Sequence, residues 1–114
     1  MAKAKKERIT LTQGEEPIDI NYDNLRNAVL VLRAVNHDLR RQIIELLSVE
    51  ERMTVTELYI KLRIEQSVAS QHLAILRKAG LVIPSREGKY IRYQLNRERL
   101  KQILQLVSDI AEEE

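Results

Sequence analysis

The sequence predicts a mainly α (α+β) domain in which helices at both ends flank two short, closely spaced helices and a two-stranded β-hairpin. Three observations predict it. Apolar residues recur at spacings of three and four through most of the chain. Only three residues, Arg63 to Glu65, separate two of the helical stretches. After Gly80 the period switches to two, on either side of a tight Glu87-Gly88 turn. Two helices joined by so short a turn form a helix-turn-helix unit, and the hairpin behind it makes the layout winged.

Each element has its own justification. Residues 1–20 read as an N-terminal arm, with a basic start (MAKAKKER), an alternating stretch at Ile9 and Leu11, and breaks at Gly14 and Pro17. Such an arm is expected to be loose or packed along an edge, though a basic arm can also touch phosphates or a minor groove. The folded domain is expected over 21–114. Asn21 or Asp23 can cap a first helix with Leu25, Ala28, Val29, Leu32 and Val35 as its stripe, which Leu30 and Val31 widen. After a break at Asn36-His37-Asp38, a second helix carries Leu39, Ile43, Ile44, Leu46 and Leu47, with Glu50, Glu51 and Arg52 as its polar exit. Thr56 is an N-cap for TELYIKL, with Leu58 and Leu62 inward. The following helix runs from Gln66 to Ala79, and Gly80 sits where a left-handed C-terminal cap is wanted. In the hairpin, Leu81 and Ile83 alternate with Val82 and Pro84, then Ile91, Tyr93 and Leu95 with Tyr90, Arg92 and Gln94. Pro84 puts the first strand at an edge. A last helix follows Asn96, striped by Leu100, Ile103, Leu104, Val107 and Ile110.

Composition narrows the function. A chain of 114 residues is one domain by size, and 44% hydrophobic residues suffice for a core. The longest apolar run, Ala28 to Leu32, is five residues, far below the ~20 of a membrane helix. No apolar signal segment follows the basic N-terminus, so a cytoplasmic location is the default expectation. The absence of cysteine excludes disulfides, thiolate metal sites and cysteine nucleophiles. With no GxSxG, no phosphate loop and no histidines clustered with carboxylates, the chain is not expected to be an enzyme, and no cofactor is predicted.

The informative segment is Gln66 to Lys78. Ala69, Leu73 and Leu76 form one helix face, with Val68, Ile75 and Ala79 at its margins. The opposite side holds Ser67, Ser70, Gln71, Ala74 and Lys78. A face that merely meets water usually carries Glu, Lys and Arg, which are good helix formers. Small hydroxyl and amide side chains instead let a helix approach the floor of the major groove. Gln66 or Gln71 can pair with adenine, Ser67 and Ser70 can reach base edges or phosphates, and Ala74 can touch a thymine methyl. Lys78 suits a phosphate.

Charge points the same way. The overall net charge is only +2, yet residues 55–94 sum to +4 and the remainder to −2. Arg86 and Lys89 bracket the turn and Arg92 follows on the second strand, placing cations where phosphate neutralisation supplies affinity.

The stretch EQSVASQHLAILRKAGLVIPSREGKYIRYQL, Glu65 to Leu95, closely resembles the ArsR/SmtB family of winged-helix repressors, whose pattern SQSxVSxHLxxLxxAGLV leads into xREGRxxxYxL. The similarity extends back through LRRQIIELL (39–47) and VTELYIKL (55–62). The resemblance implies a homodimeric repressor of double-stranded DNA, with Gln66, Ser67, Ser70 and Gln71 at the reading positions and the first and last helices at the dimer interface. Leu25, Val29, Leu32, Leu100, Ile103, Leu104, Val107 and Ile110 are the expected interface residues. Surplus apolar surface argues for a dimer independently, because a core this small cannot cover two such stripes.

The chain departs from the family pattern in three places. Glu65 stands where a Ser or Thr usually caps the recognition helix; a carboxylate can cap too, although it repels phosphate. His37-Asp38 replaces the usual Asp-Pro entry to the second helix. The metal-sensing ligands of many members are absent or nearly so: MTVTELYIKL has no Cys, and residues 97–114 hold no His, leaving Asp109 and Glu112 to Glu114 as an acidic tail that is at most a weak hard-cation site. His37 and His72 lie too far apart in sequence to make a recognisable ligand motif, and His72 is expected to pack through a hydrogen bond. No metal site is predicted, and no effector is identified. The competing reading is a winged-helix module that contacts protein rather than DNA.

Overall fold

The computed structural model describes residues 8–12, 14 and 16–112; the basic stretch at 1–7 and Glu113 and Glu114 lie outside them. Strands β1 (Arg8–Leu11) and β2 (Ile18–Asn21) pair antiparallel, Ile9 opposite Ile20 and Leu11 opposite Ile18. Within the arm, these two strands therefore form a paired ribbon. Its polar face is tied by an Arg8–Asp19 ion pair and by Thr10 donating to Asp19. The opposite face leaves Ile9, Leu11 and Ile18 exposed.

Asn21 ends β2 and caps α1 (Tyr22–Val35), accepting from the Asp23 and Asn24 amides. Helix α2 (Asp38–Glu50) starts at His37, whose Nδ1 accepts from the Leu39 amide. Next comes β3 (Met53–Thr54), then α3 (Val55–Leu62). The cap of α3 is Thr54, not Thr56: its hydroxyl accepts from the Glu57 amide and the Glu57 carboxylate accepts from the Thr54 amide. Two reciprocal bonds outweigh the single one Thr56 could offer.

Helix α4 (Gln66–Lys78) follows the expected three-residue turn, in which Arg63 takes the left-handed conformation. Gly80, with φ of +79°, closes α4 by donating to Arg77 while Leu81 donates to Leu76. This paired arrangement needs a residue tolerant of positive φ. Strands β4 (Val82–Glu87) and β5 (Tyr90–Leu95) form the wing, and α5 (Arg97–Ala111) completes the chain. The turn is Gly88-Lys89, one residue later than expected, because Gly88 supplies the positive φ (+66°) and Glu87 pairs with Tyr90. Lys89 thus lies in the turn itself.

The wing sheet has order β3-β5-β4, so Pro84 does occupy an edge strand. The core gathers Ile43 and Leu47 of α2, Leu58 of α3, Leu73 and Leu76 of α4, Leu81, Val82 and Leu95 of the wing, and Ile103 of α5. No helix among the described residues is long and apolar enough to cross a membrane.

Candidate nucleic-acid interface

Helix α4 is divided as its periodicity requires. Ala69, Leu73 and Leu76 are buried, while Gln66, Ser67, Ser70, Gln71, Ala74 and Lys78 are all exposed. Among the described residues, nothing covers the small polar face. Glu65 makes no side-chain cap bond, so α4 begins without one, its carbonyl accepting from Val68 and Ala69 only.

What aims α4 is a cluster that sequence spacing did not reveal. Arg40 of α2 is the one buried charged side chain among the described residues. Its Nε donates to the Ala34 carbonyl (2.7 Å), one terminal nitrogen to the Arg33 carbonyl (3.2 Å) and the other to His72 Nδ1 (3.0 Å). One guanidinium thus satisfies carbonyls at the C-terminal end of α1 and fastens both α1 and α2 to α4. The His37 and His72 rings meet with centroids 4.8 Å apart. A guanidinium only donates, so His72 Nδ1 must be the unprotonated nitrogen. Burial, with the neighbouring His37 and Arg40 adding to it, holds the His72 pKa below its ordinary value.

That shift gives a pH prediction. The unfolded chain takes up the His72 proton near pH 6.5, before the folded chain does. Stability is therefore complete above that pH and is lost as pH falls from about 6.5 through the lower folded value. Thermal melts between pH 5 and 8 should show Tm falling on the acid side, and a His72→Gln variant should flatten that limb. An identical acid limb in the variant would place the dependence elsewhere.

On the wing, Arg86 and Lys89 are exposed and make no ion pair among the described residues. Arg92 differs. Its Nε lies 3.0 Å from Glu87 and a terminal nitrogen 3.4 Å from Glu57, while Arg52 pairs with the other Glu87 oxygen. The guanidinium expected to meet phosphate is held by two carboxylates.

The expected dimer residues divide as well. Leu25, Val29, Leu104, Val107 and Ile110 are exposed on α1 and α5, whereas Leu32 and Leu100 are half-buried against the core. Ile103 is only 6% exposed and packs into the protomer core. Leu30 and Leu106 are exposed instead.

Comparison with known proteins accords with this geometry. A family model described as "Bacterial regulatory protein, arsR family" matches residues 37–83. The chain is 36% identical to the transcriptional activator HlyU of Vibrio cholerae over 74% of its length and 77% of that protein's. It is 30% identical to the transcriptional repressor PagR of Bacillus anthracis, over 80% and 91% of the two chains. Among solved structures, a homodimeric winged helix-turn-helix DNA-binding domain from Mycobacterium bovis superposes with a TM-score of 0.65 at 25% identity, covering 77% of this chain and 83% of that one. With its DNA-binding winged helix, the chain belongs to the ArsR family of transcriptional regulators.

Proposed function

We propose that the protein is a cytoplasmic repressor that occupies a pseudo-palindromic duplex operator as a homodimer. The observation that carries this reading is the bare small-residue face of α4. Ser67, Ser70, Gln71 and Ala74 stand exposed on a helix whose other side is buried in the core. A helix with that face can lie in the major groove with Gln66 and Gln71 against base edges, while Lys78, Arg86 and Lys89 meet phosphates. Arg92 acts at one remove, holding the wing through Glu57 and Glu87. Pairing the exposed faces of α1 and α5 across a two-fold axis would set two α4 helices about one turn of DNA, 34–36 Å, apart. Homodimer formation in the Mycobacterium bovis domain supports the assembly. Repression is favoured because a dimer seated on a promoter blocks it without further machinery, and PagR is a repressor.

Selection of preferred duplexes from a random pool tests this. At the selected site Gln71→Ala should cost about 1–3 kcal/mol and relax preference at one base position per half-site. Equal losses on selected and random DNA would remove Gln71 from base reading. Failure of micromolar wild-type protein to shift any duplex at low salt would end the DNA reading and favour a protein partner.

A further inference from the structure

A helix seated in the major groove has a sugar–phosphate strand along each side of it, so the strand on the wing side must pass between α4 and the hairpin. The structure has a cleft at that place, about 380 Å³ in volume. Its floor is apolar, from Val55 and Leu73, and its walls carry Ser70, Arg77 and Lys78 of α4 and Tyr93 of β5. Arg77 is exposed, and no ion pair among the described residues holds it.

The two faces of the wing sheet separate the cations further. Tyr93 pairs with Met53 and Pro84, and Arg86 with Ile91, so Tyr93 and Arg86 share the face whose other end, Val82 and Leu95, is buried in the core. Arg92 pairs with Thr54 and Ser85, so it projects from the opposite face, where Glu87 and Glu57 take it.

We propose that this cleft is a seat for the DNA backbone, in which the Arg77 guanidinium and the Tyr93 hydroxyl bind a phosphate, and that Arg92 is a positioning residue. The inference rests on the DNA reading given above and adds to it a ligand, a phosphodiester, and two residues. The apolar floor suits the deoxyribose. A guanidinium meets phosphate oxygens through two parallel N–H groups, and the tyrosine hydroxyl adds a neutral donor at the opposite wall. Nothing in this contact depends on base sequence, so it operates on any duplex.

The test is salt-dependent binding of the full chain to one duplex of arbitrary sequence. Each phosphate contact contributes about 0.9 to the slope of log affinity against log salt, so Arg77→Ala should reduce its magnitude by about 1.8 for a dimer. Arg77→Gln, which keeps much of the side-chain length, should match it. Lys101→Ala, the same loss of charge on the exposed side of α5, should leave the slope unchanged. Tyr93→Phe should weaken binding roughly three- to tenfold per half-site at fixed salt without changing the slope. Arg92→Ala should weaken binding with the slope retained, and Arg92→Lys, which keeps the charge but not the two-carboxylate fork, should weaken binding likewise.

A wild-type slope in Arg77→Ala, or an equal reduction in Lys101→Ala, overturns the seat. A reduced slope in Arg92→Ala overturns its positioning role, and unchanged affinity in Tyr93→Phe removes the hydroxyl. Wild-type protein that binds no duplex sinks the underlying DNA reading instead, and the seat with it.

Discussion

Replacement of Arg40 by leucine should lower Tm by on the order of 10 °C, the largest stability loss expected from a single side chain outside the apolar core. The cause is the number of acceptors it would orphan. The Ala34 and Arg33 carbonyls and His72 Nδ1 all lose their donor, and a buried acceptor left unpaired costs about 1–3 kcal/mol. Arg33 and His72 retain some access to water, so a total of about 3 kcal/mol is expected rather than the full sum. Lysine should rescue little, because an ammonium cannot reproduce the planar fork that serves three acceptors in different directions. Circular dichroism melts measure this directly. A leucine variant melting within about 2 °C of the parent would mean that water replaces the guanidinium at no cost.

The largest loss of DNA binding should come from a residue far from the groove. Leu104, Val107 and Ile110 line one side of α5 with exposures of 52%, 39% and 70%, and Leu25 and Val29 do the same on α1. A carboxylate placed among them by Val107→Asp would have to be desolvated on dimer formation, at a cost no partner there offsets. The variant should sediment as a folded monomer, since Val107 does not belong to the protomer core. Losing the linked second half-site should reduce affinity for a two-fold operator about a hundredfold, the lower end of what bivalency provides. A Val107→Asp protein that still sediments as a dimer, with operator affinity intact, would move the interface away from α5.

How much of this was legible depended on how local the signal is. The face of α4 could be read because one helix face is set by residues three and four apart, and the burial of Ala69, Leu73 and Leu76 follows that period. The end of α4 was equally local: Gly80 alone announces it. The start of α3 was misread although its signal was present, since Thr54 and Glu57 stand at capping-box spacing and Thr56 was the weaker cap. A two-residue strand such as β3 leaves no periodic trace, so the third strand of the wing sheet was invisible. So were the contacts that join distant segments. His37 and His72 are 35 positions apart in the chain, and only the packing of α2 against α4 brings their rings together. Arg92 looked free because Glu57 approaches it from 35 positions away through a helix cap, and because the hairpin register that brings Glu87 beside it was read one residue early.

Thr54 does two jobs: it pairs with Arg92 in the strand register and it caps α3, the helix on which α4 is carried. The hairpin and the reading head consequently meet at one shared residue. A displacement of β5 at Arg92 would therefore be passed to the start of α3 through Thr54. In the proposed dimer, release from DNA would require swinging the whole head relative to its twin, so a ligand acting on the proposed α1–α5 seam would have better leverage than one acting on the wing.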